Sequence, residues 1–320
     1  VTAAKEVLAQ MFASGESADS ILSRSNFSQL CPAEQRRFHF LLDGGIRDIF
    51  NLGLMARELF SAVSAVRETG AYRDFVEIPG MKDRNTGRFN PWNRAWSRLP
   101  KDLFTLYGKE ARSEEEVRNG EGDHVGTVEQ VANRFQLVFN WVGSLWPSAP
   151  KPHAAFGSSP GQTRLESYDS EVLGAKWEYT VALPPGYDDP QNADARYPVA
   201  YLLHGYGMLP NDFSAVSLIS DAYVTGELQL RPVIYVFPNG RCCFVNDETG
   251  ERDCRNVDEL GGEISQRPGF ARECRRGTFF VNRVGFSNGD VTRYGDAMFE
   301  LMGHIDSKYR TLETAEVETR

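Results

Sequence analysis

An α/β architecture, a mostly parallel sheet flanked by helices, is what the sequence predicts, on three observations. The apolar run Tyr197-Pro198-Val199-Ala200-Tyr201-Leu202-Leu203 stops at His204-Gly205-Tyr206-Gly207, the pattern of a buried parallel strand opening into a glycine-rich turn. A second run, Arg231-Pro232-Val233-Ile234-Tyr235-Val236-Phe237, stops at Pro238-Asn239-Gly240. Further on, Tyr294, Ala297, Met298, Leu301, Met302 and Ile305 recur at helical spacing, which puts them on one apolar face.

Taken in chain order, the first element is a strand over residues 37–42, running into Asp43-Gly44-Gly45-Ile46-Arg47-Asp48. A helix with the stripe Leu52, Met55, Leu59, Phe60 and Val63 follows. A strand near Val117 is then expected, before Gly120-Glu121-Gly122-Asp123-His124 and a second helix with the face Val128, Val131, Phe135, Val138, Phe139 and Val142. Trp146-Pro147-Ser148-Ala149-Pro150-Lys151-Pro152 opens a Pro-rich linker over 147–162, separating a region 1–146 from a region 163–320. Beyond it, Trp177-Glu178-Tyr179-Thr180-Val181-Ala182-Leu183 alternates like a half-exposed edge strand. The His-Gly strand comes next, expected at the sheet centre, and then the run ending at Phe237. A polar, cysteine-rich loop, a short segment over 278–282 and the amphipathic helix complete the order.

Composition narrows the partners. A net charge of −9 over 320 residues argues against nucleic acid or an anionic membrane surface. No apolar run approaches the ~20 residues of a membrane span. Of the five cysteines, Cys242, Cys243, Cys254 and Cys274 cluster, while Cys31 stands apart. Two disulfides among the four are expected, and a bond between the adjacent Cys242 and Cys243 would be strained, which leaves two connectivities. Disulfides imply an extracellular or periplasmic location. Zinc is disfavoured, because the cluster contains no CxxC pair and no histidine. The run Asn246-Asp247-Glu248-Thr249-Gly250-Glu251-Arg252-Asp253 reads as a solvated acidic loop or, alternatively, a calcium loop. No metal and no cofactor is expected.

The segments YTVALPPGYDD, YPVAYLLHGYG, RPVIYVFPNG, GTFFVN and ELMGHIDSKYRT, in this order, resemble the first half of the α/β-hydrolase family that contains S-formylglutathione hydrolases, feruloyl esterases and mycolyltransferases. The resemblance covers about 163–320. It implies that Gly205, Tyr206 and Gly207 form the oxyanion hole, with bare backbone N–H groups near the reacting carbonyl. It also implies that the strand after Tyr309-Arg310-Thr311 brings a Gly-x-Ser-x-Gly nucleophile, beyond Arg320. Region 1–146 resembles the second half of the same family. Asp48 then matches the acid that orients the catalytic histidine, and His124 the base. Plainer readings stand beside these: Asp48 as a charge near a helix N-terminus, and His124 as a surface loop histidine.

The sequence does contain Gly285-Phe286-Ser287-Asn288-Gly289. Ser287 is the alternative nucleophile, disfavoured because Asn282 and Arg283 interrupt the approach and Asp290 replaces a small residue in the following turn. The halves thus stand in inverted order. A permuted or incomplete single fold, a junction between two tandem units, and an unrelated N-terminal domain joined to half a hydrolase all fit. The single fold would place Tyr206 opposite His124 in one site. Two functions follow: a serine hydrolase acting on small-molecule or polymer-linked carboxylic or thio esters, its sheet completed by a second chain or segment, and a non-catalytic binding or structural module on the same fold.

Overall fold

The computed structural model describes residues 39–49, 52–67, 102–108, 112–145, 159–205, 208–210, 232–258, 260–273, 278, 280, 282–284 and 291–312. It divides into two units, Val1–Ala149 and Pro150–Arg320. The architecture is α/β, with helices and mixed β-sheet.

In the first unit, β1 (Leu41–Gly45) and β2 (Leu103–Tyr107) pair in parallel, with Leu41 opposite Leu103 and Gly45 opposite Tyr107. A parallel pair needs a crossover, and α1 (Leu52–Arg67) lies in it. Gly44 lets the helix sit directly on the strand, since a Cβ there would stand 2.3 Å from the Cα of Gly53. Phe60 of α1 stacks on Phe104 of β2 with ring centroids 5.9 Å apart. The strand therefore starts later than expected and runs through Gly44 and Gly45, where the backbone must be bare.

Val117 is not on a strand. It lies on α2 (Glu114–Arg118), which Ser113 and Glu116 start with a reciprocal capping box. The strand that leads to His124 is β2 instead. α3 (Val128–Leu145) is also rotated from the expected face. Val128 is 89% exposed, while Asn133 and Leu137 are buried. Leu137 packs with Leu103 and Tyr107, and on the same side Arg134 reaches Asp43 of β1.

In the second unit the sheet order is β5-β6-β4-β8-β7-β9, with β3 also on β4. The strands are β3 (Gln162–Ser170), β4 (Ala175–Leu183), β5 (Val199–Tyr201), β6 (Ile234–Pro238), β7 (Phe244–Asn246), β8 (Arg252–Cys254) and β9 (Phe270–Arg272). β3 and β4 form a nine-residue hairpin. Along its other edge β4 pairs with β6 from Tyr179 to Ala182 and with β8 at Lys176 and Trp177.

Two expectations are corrected here. Residues 177–183 form a central strand, not an edge, and the polar atoms of Glu178 and Trp177 are buried with partners. Glu178 accepts from Asn256 Nδ2 at 2.8 Å, and Trp177 Nε1 donates to the Asn239 carbonyl at 2.8 Å. The sheet is also mixed rather than mostly parallel: β5–β6 and β4–β8 are parallel, whereas β3–β4, β4–β6, β7–β8 and β7–β9 are antiparallel. Short connections account for β3–β4 and β7–β8, because a tight turn can join only antiparallel neighbours. The cysteine-rich loop adds to the sheet, since β7, β8 and β9 extend it from within that loop.

β10 (Asn282–Val284) and β11 (Val291–Arg293) form an antiparallel pair leading into α4 (Tyr294–Lys308). α4 buries Tyr294, Ala297, Met298, Leu301 and Ile305, in line with their spacing, in one core with Trp177, Tyr179, Val181 and Val236. Each large apolar side chain buried this way contributes about 1.5–3 kcal/mol. Cys243 and Cys254 are joined by a disulfide, and Cys242 is disulfide-bonded too. Cys31 and Cys274 lie outside the described residues. Asn246 Oδ1 accepts from the Glu248 and Thr249 N–H groups, so the acidic run is a side-chain-capped hairpin turn. No described helix is long and apolar enough to cross a membrane.

Candidate functional site

In the first unit the chain leaves the carboxyl end of β1 at Gly45 and turns through Asp48, whose N–H donates to the Gly45 carbonyl at 3.3 Å. After β2 and α2 it returns through a loop in which Gly120, Gly122 and Gly126 all have positive φ, a conformation that glycine adopts without steric cost. The two segments meet backbone to backbone, with Arg47 N–H donating to the Gly122 carbonyl at 2.7 Å. Arg47 Nη1 also reaches Glu121 Oε2 at 2.8 Å, and Arg112 meets the same carboxylate at 3.2 Å.

This contact brings Asp48 and His124 together across 76 positions: His124 Nδ1 lies 3.0 Å from Asp48 Oδ2. The side chain of Asp48 is 2% exposed and that of His124 43%. A buried carboxylate thus holds one nitrogen of a ring that remains open to solvent, a pairing that suits the tautomer with the proton on Nδ1. The residues that follow them, Ile49 and Val125, are apolar and 73% and 62% exposed. Asp43, five residues from Asp48, has a different partner, a two-pronged bond from Arg134 with Nε at 2.5 Å and Nη2 at 3.1 Å.

The loop that carries His124 is held from beneath. Tyr107 Oη lies 2.8 Å from the Asp123 carbonyl and 2.6 Å from that of His124. Arg134 Nη1 donates to the Val125 carbonyl at 3.0 Å, with its guanidinium 4.2 Å above the Tyr107 ring. Burial pushes the Tyr107 phenol up to about 12, so it remains a donor at neutral pH. Burial alone would lower the Arg134 guanidinium, but the Asp43 carboxylate more than offsets this and holds it above its ordinary value. Sequence reading missed Tyr107, Arg134 and Glu121. A charged residue between the apolar positions Val131 and Phe135 of α3 was the one available hint.

In the second unit the His-Gly segment is described as far as Gly205. His204 Nε2 accepts from the Gly240 N–H at 2.8 Å, and Nδ1 lies 2.9 Å from the Gly205 carbonyl. Its ring thus ties the carboxyl end of β5 to that of β6. β5 is shorter than expected and is not central among the described residues: its backbone meets β6 on one edge, through Pro198 O and Leu202 N. On the opposite edge Tyr197 bridges in parallel to Thr311, through Tyr197 N to Arg310 O and Leu312 N to Tyr197 O, each at 2.9 Å. Tyr206, Gly207 and Ser287 lie outside the described residues. The strands on either side of Ser287, β10 and β11, pair antiparallel.

No protein-family model and no curated protein matches the chain. Among solved structures it is similar to a ferulic acid esterase at 24% identity and TM-score 0.31, covering 48% of this chain and 46% of that one. It is similar to the S-formylglutathione hydrolase of Agrobacterium tumefaciens at 15% identity and TM-score 0.32, covering 48% and 47%. A CE1 ferulic acid esterase of Anaeromyces mucronatus matches at 18% identity and TM-score 0.28, covering 49% and 46%. The chain spans about half the length of these structures.

Proposed function

We propose that this chain carries the acid and the base of a serine hydrolase acting on carboxylic or thio esters, with a nucleophile that lies outside it. The observation that carries the reading is the 3.0 Å bond from His124 Nδ1 to the buried Asp48. It sits at the carboxyl ends of parallel strands, where α/β sheets place their chemistry. The resemblance of the sequence motifs to an esterase family supplies the reaction class.

In this reading Asp48 fixes the tautomer, so Nε2 is the nitrogen that exchanges protons. A serine Oγ attacks the ester carbonyl carbon and its proton passes to His124 Nε2. Backbone N–H groups donate hydrogen bonds to the developing oxyanion. Collapse breaks the carbonyl–oxygen or carbonyl–sulfur bond, and His124 returns the proton to the leaving alcohol or thiol. Water, deprotonated by the same ring, then releases the acid. The exposed Ile49 and Val125 suit an apolar substrate portion or the segment that completes the sheet. The Cys243–Cys254 disulfide supports an oxidising, extracellular or periplasmic location.

A fluorophosphonate probe applied to the natural gene product tests this. The expected result is labelling of one serine, abolished in His124→Ala and reduced about 10⁴-fold in rate in Asp48→Asn, the size of a wrong-tautomer defect. Labelling that persists in His124→Ala, or that maps to Ser287, would overturn the assignment.

A further inference from the structure

We infer that Tyr107 and Arg134 are positioning residues for His124, holding its loop so that the imidazole meets Asp48 before any substrate arrives. The inference rests on the reading of Asp48 and His124 given above.

Its basis is the bonding of five consecutive carbonyls. The Glu121 carbonyl is met by Arg47 Nη1 at 3.4 Å and that of Gly122 by Arg47 N at 2.7 Å. The Asp123 and His124 carbonyls share the Tyr107 hydroxyl, and the Val125 carbonyl takes Arg134 Nη1. Each donor belongs to β2, α3 or the turn after β1. The loop is therefore drawn down by its carbonyls, while the His124 ring stands 43% exposed and bonds to Asp48. An exposed side chain gains little order from its own packing. The bonded backbone beneath it gives precision to the 3.0 Å contact, in the way that second contacts orient a working histidine.

The two residues act as one device. Arg134 is oriented by its two bonds to Asp43 of β1, and it lies over the ring whose hydroxyl holds His124. Asp43 thereby fixes Arg134 to the same strand that leads to Asp48, so acid and base loops share one reference. The Tyr107 hydroxyl has one proton for two carbonyls. A phenylalanine there would keep the ring and the stacked guanidinium and remove only that donor.

The test is a two-bond ¹H–¹⁵N correlation of the imidazole nitrogens in the full chain labelled in histidine, with His124→Ala assigning the signals. In the unsubstituted chain, neutral His124 is expected as the Nδ1–H tautomer. Asp48→Ala should return it to the Nε2–H form that free histidine favours. Tyr107→Phe and Arg134→Lys are expected to reduce the Nδ1–H population severalfold toward the Asp48→Ala value, with circular dichroism unchanged. An unaltered tautomer in folded Tyr107→Phe would overturn the inference, and that variant decides it even if Arg134→Lys does not fold. An Nε2–H form in the unsubstituted chain would instead overturn the Asp48–His124 bond itself, so the two failures are distinct.

Discussion

A Cβ on Gly45 would stand 2.3 Å from the carbonyl oxygen of Gly122. The same atom would lie 2.5 Å from the Asp123 carbonyl oxygen. These are backbone atoms with no flexible end to swing away. The approach of the turn after β1 to the His124 loop is therefore a contact between two bare backbones.

Gly45→Ala is expected to destabilise the first unit by about 3 kcal/mol, the upper part of the overpacking range, because neither neighbour can yield. It should also separate Asp48 from His124. Urea unfolding followed by circular dichroism measures the first effect, and the His124 tautomer reports the second. A loss below about 0.5 kcal/mol would show that the two segments can part without cost.

Gly303 gives the opposite sign. It lies within α4, and a Cβ there would meet nothing within 4 Å. Gly303→Ala should stabilise the second unit by roughly 0.5–1 kcal/mol, by reducing the freedom of the unfolded chain. A rise in the urea midpoint at constant slope is the expected observation.

The disulfide between Cys243 and Cys254 closes a separation of 11 residues. In the loop-entropy picture its removal costs about 3 kcal/mol. Cys254→Ser compared with the unsubstituted chain under non-reducing conditions should show that loss. Reductant should lower the stability of the unsubstituted chain further than that of the variant.

His304 makes the second unit sensitive to mild acid. Its ring stacks on Tyr168 at 4.4 Å, and Nε2 lies 3.1 Å from the Tyr179 hydroxyl. Burial, and then the Lys308 ammonium, hold it below its ordinary 6.5, against the opposing pull of Glu166 and Glu300. A base held low stays neutral in the folded chain while the unfolded chain takes up a proton. Its contribution is complete above about pH 6.5 and is lost as the pH falls through 6.5 toward the folded value. Unfolding free energy should drop across that window, and His304→Gln should flatten the drop. An imidazole titration midpoint above 6.5 would contradict the sign.

Local signals were enough for several features. The helical spacing of Tyr294, Ala297, Met298, Leu301 and Ile305 is readable because a helix face depends on neighbours three and four residues apart. Strand runs ending in glycine turns placed Asp48 and His124 on loops, and the adjacency of Cys242 and Cys243 limited the disulfide choices. The capping box at Ser113 and Glu116 was also legible, and it would have removed the expected strand near Val117.

Other features were set only by tertiary structure, because they depend on which distant groups share a low-dielectric interior. The alternation in residues 177–183 suggested an exposed face. Yet Glu178 is buried, since Asn256, 78 positions away, satisfies its carboxylate, and a buried polar group is tolerated once it is bonded. The rotation of α3 follows from Arg134 finding Asp43 across 91 positions. Composition and local pattern determined that this chain builds strands, helices and two polar loops. The order of the strands, and the meeting of one aspartate with one histidine, came from long-range backbone contacts that no local window contains.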